Sequence, residues 1–79
     1  MDKNGSTSLH LAVQGRSTPT ATFLLNKGAA ISAKDYRKRT ALHLAAKGGI
    51  IEIVRMLISK GADITSMDKL GRTPLHYTA

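Results

Sequence analysis

The chain repeats itself every 33 residues, and this internal period constrains its fold more than any other feature. Asp2, Asp35 and Asp68 align in one register, and the same offset superposes the stretches GSTSLHLA, KRTALHLA and GRTPLHYTA. A later pair, LLNKGAAI and LISKGADI, falls in the same frame without a gap. Self-similarity at a period of roughly 20 to 50 residues predicts an array of stacked, near-identical units.

One box of residues within the period is distinctive. The letters TPLH stand intact in GRTPLHYTA, and variants of them occur in both earlier units. The period and the box resemble the ankyrin repeat, over the whole chain. The resemblance implies an all-α fold, a helix-turn-helix solenoid with β-turn tips between repeats. We assign repeat one to residues 2–34, repeat two to 35–67 and a partial repeat three to 68–79, and we expect a fragment of a larger ankyrin protein.

The residues between the turns predict two short antiparallel helices in each unit. In unit two, TALHLAAKGG places Leu42, Ala45 and Ala46 at helical spacing and ends in two glycines that suit a left-handed C-cap. The following IIEIVRMLISKGAD carries a broad apolar stripe formed by Ile50, Ile53, Val54, Leu57 and Ile58. Each helix is shorter than the roughly 12 to 15 residues needed for stability in isolation. We therefore expect each helix to depend on packing against its partner and the next unit.

The second half of unit one departs from this pattern. Arg16 stands where unit two has Gly49, and STPTA replaces IIEIV. We expect an underfilled second helix, which is either a polar terminal cap or a weakened interior repeat. Ser17 or Thr18 before Pro19 resembles a phosphorylation site, but the same residues favour an N-cap with proline in the first helical turn.

The segments between helix pairs, MDKNGS, KDYRKR and MDKLGR, have the composition of tight turns. The fourth residue of each unit should need a permissive backbone, and Gly5 and Gly71 meet that requirement. Lys38 occupies this position in unit two. If φ is positive there, we expect the side chain to cost about 1 kcal/mol.

The histidines that recur with the period could suggest a metal site. However, equivalent atoms in stacked repeats lie about 8 to 10 Å apart, whereas zinc binds nitrogen at about 2 Å. The resemblance instead implies hydrogen bonds that tie turns and neighbouring repeats together. The residues concerned are Thr7, His10, Thr40, His43, Thr73 and His76.

Catalytic signatures are missing from the sequence. The aspartates that recur with the period start turns, where their side chains accept backbone N–H bonds. The sequence contains no phosphate-binding glycine loop and no activated-nucleophile motif. We therefore expect no enzyme activity, no metal and no cofactor.

The composition is strongly basic. Lysine and arginine number 12 against 5 aspartates and glutamates, which gives a formal net charge of +7 at pH 7 and favours acidic partners. Cysteine is absent, so disulfides are excluded. No apolar run approaches the roughly 18 residues that span a bilayer. We expect a soluble intracellular protein, cytoplasmic or nuclear, that does not associate with membranes.

The resemblance implies that partners bind the turn tips and the exposed side of each unit's first helix. Stacked turns should align Lys3, residues 37–39, Lys69 and Arg72 into a basic ridge, which favours an acidic protein partner. Carried over one by one, the expected partner-binding residues are Lys3, Asn4, Ser6, Gln14, Tyr36, Arg37, Lys38, Arg39, Lys47, Lys69, Leu70 and Arg72.

Three alternatives remain open at this point. The charged turns could simply be solvated. Nucleic-acid binding would suit the charge, but the chain has only three aromatic residues to serve as stacking platforms. Self-association is the third, because a partial third unit would leave the stripe around Val54, Leu57 and Ile58 under-covered.

Overall fold

The computed structural model describes residues 5–77, and all of its regular elements are helical. Helices α1 (Ser8–Gln14) and α2 (Thr18–Asn26) form the first pair. Helices α3 (Ala41–Gly48) and α4 (Ile51–Ser59) form the second pair, and a short 3₁₀ helix (Pro74–Tyr77) belongs to the third unit. Residues 5–77 contain no strand. The predicted all-α helix-turn-helix architecture is confirmed.

The helices form two layers. Helix α3 packs against α1 on one side and against the 3₁₀ helix on the other, while α2 packs against α4. The core between the layers is aliphatic and contains Leu9, Val13, Ala21, Leu42, Ala45, Ile53 and Leu57. Because helices this short are unstable alone, this shared core holds them in place.

Each first helix begins with the same capping box. In α1, the hydroxyl of Thr7 accepts the N–H of His10 at 3.4 Å, and Nδ1 of His10 accepts the N–H of Thr7 at 3.2 Å. In α3, Thr40 and His43 repeat the two bonds at 3.4 and 3.1 Å. Backbone donors that a helix start leaves unpaired are thereby satisfied.

The second ring nitrogen of each histidine reaches the next unit. Nε2 of His10 lies 2.8 Å from the carbonyl oxygen of Arg39, and Nε2 of His43 lies 2.9 Å from that of Arg72. A carbonyl only accepts, and Nδ1 already accepts a backbone N–H, so the proton lies on Nε2. Both histidines are buried. The predicted role of tying neighbouring repeats together is confirmed for these two residues.

The bend between the two helices of a unit requires a left-handed residue. Gly49 fills this place in unit two with φ 67°, and Arg16 fills it in unit one with φ 58°. The side chain of Arg16 is disfavoured there, but its guanidinium donates to the carbonyl of Gly48 at 3.0 Å. A cation is favourable at this C-terminal end of α3. Arg16 therefore links unit one to unit two.

The second helix of unit one contributes little to the core, as predicted. Ala21 is the one buried residue within Thr18–Asn26. Ser17 occupies the N-cap position, but its side chain makes no capping hydrogen bond. Its hydroxyl instead donates to the hydroxyl of Thr20 at 2.8 Å. The ψ of Ser17 is 87°, whereas Thr7 has ψ 173° and does cap its helix. The predicted cap position is therefore correct and the capping bond is not.

The expected coverage of the apolar stripe of α4 needs one correction. Ile53 and Leu57 are fully buried, and Val54 is partly buried against the same core. Leu57 is therefore not under-covered, because it belongs to the core between the layers. Ile58 is 49% exposed, in agreement with the expected under-coverage of this part of the stripe.

Candidate partner-binding surface

Hydrogen bonds within residues 35–39 hold the turn that opens unit two. The N–H of Lys38 donates to the carbonyl of Asp35 at 2.9 Å, and the N–H of Asp35 donates to the carbonyl of Arg39 at 3.0 Å. The carboxylate of Asp35 accepts the N–H groups of Arg37 and Arg39, each at 2.9 Å. An aspartate at the start of the turn thus satisfies backbone donors, as predicted.

The turn that opens unit three is built in the same way. The N–H of Gly71 donates to the carbonyl of Asp68 at 3.0 Å, and the N–H of Asp68 donates to the carbonyl of Arg72 at 2.8 Å. The carboxylate of Asp68 accepts the N–H groups of Leu70 and Arg72, each at 2.9 Å. Residues one period apart therefore occupy equivalent places in the two turns.

Lys38 adopts the left-handed backbone that its position predicts. Its φ is 60°, and the glycines at the equivalent positions, Gly5 and Gly71, have φ 72° and 77°. A Cβ in this region costs about 1 kcal/mol. Because Lys38 is exposed, the strained residue adds a cation to the tip of the turn.

The turns contact one another along one edge of the molecule. The N–H of Lys69 donates to the carbonyl of Arg37 at 2.8 Å, which joins the third turn to the second. On the other side, the ring of Tyr36 lies against Gly5 so closely that a Cβ on Gly5 would come within 2.7 Å of Cδ1. The turns of the described residues therefore stack, and this stacking is the basis of the predicted basic ridge.

Arg39 and Arg72 are anchored at Nε. The Nε–H of Arg39 donates to the carboxylate of Asp35 at 2.9 Å, and that of Arg72 donates to Asp68 at 3.0 Å. Each bond uses one of the five N–H donors of a guanidinium. The side chain of Arg39 is 13% exposed and that of Arg72 is 46% exposed. Both arginines thus support their turns, a role that the sequence prediction missed.

The two turn aspartates are more acidic than usual. Burial acts to raise the pKa of Asp35, but hydrogen bonds and charge from Arg39, with the N–H of Arg37, lower it overall. Burial acts in the same way on Asp68, and hydrogen bonds from Tyr77, Arg72 and Leu70 lower its pKa strongly. Both carboxylates are therefore ionised at neutral pH and already engaged within the protein.

Tyr77 connects the third turn to α3. Its hydroxyl donates to the carboxylate of Asp68, and its ring meets that of His43 edge-on with 5.7 Å between centroids. The guanidinium of Arg72 lies 4.9 Å from the centre of the Tyr77 ring. Burial raises the pKa of Tyr77, and the hydrogen bond and charge of Asp68 raise it further. The phenol is thus a fixed, neutral part of the surface.

A groove of about 540 Å³ lies beside the second and third turns, and we call it the inter-turn groove. Its lining residues are Arg37, Arg39, Lys47, Asp68, Lys69, Leu70, Arg72 and Tyr77. Five of the eight are cationic, and the single acid is Asp68. Within residues 5–77, Arg37, Lys47 and Lys69 form no ion pair with a carboxylate. The groove is therefore positively charged, with an apolar part formed by Leu70 and Tyr77.

The structure brings half of the twelve predicted residues to this groove. These six are Arg37, Arg39, Lys47, Lys69, Leu70 and Arg72. Gln14, Tyr36 and Lys38 are exposed but do not line it.

The remaining three residues of the predicted set are Ser6, Lys3 and Asn4. Ser6 is 1% exposed and does not present its side chain to a partner, which corrects its assignment. Arg39 and Arg72 occupy the positions equivalent to Ser6, and their long side chains reach the surface. The hydroxymethyl group of Ser6 is too short to do so. Lys3 and Asn4 lie outside the described residues.

Sequence reasoning missed Asp68 and Tyr77 as lining residues. Tyr77 occupies the place of Leu11 and Leu44 in the earlier units. At this position, unit three has a tyrosine in place of the leucine of the earlier units, and its side chain can reach the turn aspartate. This departure from the repeat is the sequence signal that could have identified Tyr77. The sequence pattern assigns Asp68 to the turn alone.

Other kinds of site find no support in the described part of the chain. Residues 5–77 contain no group of three or more His, Cys, Asp and Glu side chains that could hold a metal ion. None of the helices described is long and apolar enough to cross a membrane.

Comparison with known proteins gives one match. The sequence model of the family described as ankyrin repeats (3 copies) matches residues 1–68 and, in a second match, residues 35–79. The two matches together cover the chain. A search of curated protein sequences found no match.

Proposed function

Because this chain belongs to the ankyrin repeat family, whose repeats generally mediate protein–protein interaction, we propose that it is a noncatalytic module that binds an acidic protein surface through the basic ridge. The observation that carries the proposal is the inter-turn groove, in which five of the eight lining residues are cationic. Its one acid, Asp68, is bonded to Arg72 and Tyr77. Negative charge therefore has to come from a partner.

The electrostatics of the groove favour such a partner. Arg37, Lys47 and Lys69 are exposed and repel one another without a compensating carboxylate in the described residues. Arg39 and Arg72 are held at Nε, so less side-chain freedom is lost when their remaining N–H groups bind a carboxylate. Exposed ion pairs add little affinity individually and act mainly on association rate and specificity.

The size of the surface limits the affinity. The described structure exposes 4843 Å², and a standard interface takes about 800 Å² per partner, about one sixth of that area. The inter-turn groove covers only two turns. We expect micromolar affinity for this chain, which corresponds to about 8 kcal/mol of binding free energy.

Selection from a random peptide library displayed on phage tests the proposal. The bait is the wild-type chain, and the binding variant carries Arg37→Gln, Lys47→Gln and Lys69→Gln. The matched control carries Lys27→Gln, Arg55→Gln and Lys60→Gln, which remove the same charge from exposed positions that do not line the groove. We expect peptides rich in Asp and Glu that bind wild type and control and lose affinity for the binding variant.

Two results would contradict the proposal. One is enrichment of peptides without an acidic bias, and the other is equal binding to both triple variants. Duplex DNA serves as a further probe, because phosphate binding weakens steeply as salt rises. A salt-sensitive DNA complex that is tighter than the peptide complexes and lost in the binding variant would favour nucleic acid as the partner.

We propose self-association through α4 as a second candidate function. Ile51 is 56% exposed and Ile58 is 49% exposed, and exposed apolar side chains favour association. Light scattering across a dilution series measures it. We expect the mass to fall on dilution, and the variant Ile51→Ser with Ile58→Ser to remain monomeric; a wild-type chain that is monomeric at every concentration would exclude this candidate.

A further inference from the structure

Leu70 is the most exposed large apolar residue among residues 5–77, at 74%. It lies in the third turn, in the place that Arg37 takes in the second turn, and its side chain lines the inter-turn groove. The free energy of an aliphatic side chain is lower in contact with an apolar group than in contact with water. Leu70 therefore gives the groove an anchor point that charge alone does not supply.

Cations stand before and after Leu70 in the chain. Lys69 precedes Leu70, and its backbone N–H donates to the carbonyl of Arg37 in the neighbouring turn. Arg72 follows, fixed by Asp68 and lying over the ring of Tyr77. All of these side chains line the groove. The groove thus receives a cation, an apolar residue and a second cation from one short stretch of the chain.

We infer, resting on the proposed function, that the inter-turn groove takes a linear peptide segment in which one leucine-sized apolar residue stands between acidic residues. The apolar side chain packs on Leu70. The acidic residues on one side meet Arg37 and Lys69, and those on the other side meet Arg72. A volume of about 540 Å³ is in the range of sites that enclose a few side chains.

The lining favours a peptide over a nucleic acid. A single strand binds largely by stacking its bases on exposed aromatic rings. The ring of Tyr77 carries the guanidinium of Arg72 on one face and meets His43 at its edge. It is therefore occupied as a stacking platform, while Leu70 remains open to an aliphatic side chain. Charge complementarity and this apolar point together select an acidic peptide.

A cycle of two peptides and three proteins, with the triple variant of the previous subsection as a fourth protein, tests the inference. The probes are fluorescein-labelled peptides with the sequence Gly-Glu-Glu-Leu-Glu-Glu or Gly-Glu-Glu-Ser-Glu-Glu, which carry the same charge. The proteins are wild type, Leu70→Ser and the matched control Leu75→Ser, in which an exposed leucine outside the groove is replaced. Fluorescence anisotropy gives each dissociation constant, and circular dichroism checks that each variant is folded.

We expect the leucine peptide to bind wild type and Leu75→Ser about tenfold more tightly than the serine peptide, and to lose most of this preference with Leu70→Ser. An equal preference in all three proteins would overturn the inference, as would the absence of saturable binding of the leucine peptide up to about 1 mM. If both peptides bind equally and both lose affinity for the variant lacking Arg37, Lys47 and Lys69, the inference fails while the proposed acidic partner stands.

Discussion

His43 donates a hydrogen bond from Nε2 to the carbonyl oxygen of Arg72 at 2.9 Å, and this bond fastens the third turn to the second unit. His10 makes the equivalent bond to Arg39 at 2.8 Å. The arginine that accepts each bond also contributes its side chain to the inter-turn groove. Buried histidines therefore set the position of the cations on the surface.

Replacing His43 with alanine should lower the free energy of unfolding by about 2 to 4 kcal/mol, because it leaves a buried cavity and unpaired backbone groups. His76 is exposed and caps its own turn with Thr73, so His76→Ala should cost about 1 kcal/mol. Urea unfolding followed by circular dichroism measures both. If both variants lose the same free energy of unfolding, the hydrogen bond from His43 to Arg72 contributes no stability beyond that of the capping box.

Lys38→Gly should raise the free energy of unfolding by up to about 1 kcal/mol, because the strain of a Cβ at φ 60° outweighs the freedom that glycine adds to the unfolded chain. Lys34→Gly is the matched control, since Lys34 is also exposed but is not a positive-φ residue. It should be neutral or destabilising, because glycine adds freedom to the unfolded chain. Chemical unfolding of the two variants checks the difference, and a stabilised control would indicate an effect of charge instead of strain.

Arg16→Ala should destabilise the chain by about 1 kcal/mol, because it keeps a Cβ at φ 58° and removes the bond to the carbonyl of Gly48. Arg16→Gly loses the same bond but relieves the backbone, so it should be close to wild type. Thermal or urea unfolding orders the three proteins. If alanine and glycine behave alike, the left-handed backbone does not contribute to the stability of this bend.

Asp68→Asn should destabilise the fold in a way that depends on pH. The folded-state pKa of Asp68 lies below the usual 3.8, so its stabilising contribution is present above about pH 4 and is lost as the pH falls below that value. The stability difference between wild type and variant should therefore be largest at neutral pH and shrink in acid.

Unfolding in urea at constant ionic strength, at several pH values between about 2 and 7, measures this difference. Asp63→Asn is the control, because the pKa of Asp63 is also lowered, chiefly by the hydroxyl of Thr65, but its side chain is exposed. Its effect should be smaller at every pH. A difference for Asp68→Asn that stays constant into acid would mean that its ionisation does not support the third turn.

Much of the fold could be predicted because its signals are local. The capping boxes join residues three apart, as in Thr40 and His43, and the turn aspartates bond backbone groups two and four residues away. The positive φ of Lys38 followed from its place in the turn. The errors concern side chains whose surroundings are not local, such as Ser6, which is buried, and Leu57, which is fully covered.

The sequence by itself determined the period, the class of fold, the helix starts and the set of cations from which a binding surface could be made, because these depend on residues close together in the chain. Only the tertiary structure decided which cations share a groove, that Asp68 and Tyr77 complete it, and that Arg16 compensates its own strain. The contacts between units, such as those from His43 to Arg72 and from Arg16 to Gly48, join residues 29 and 32 positions apart. Such contacts arise from the packing of one unit on the next, which no short stretch of sequence specifies.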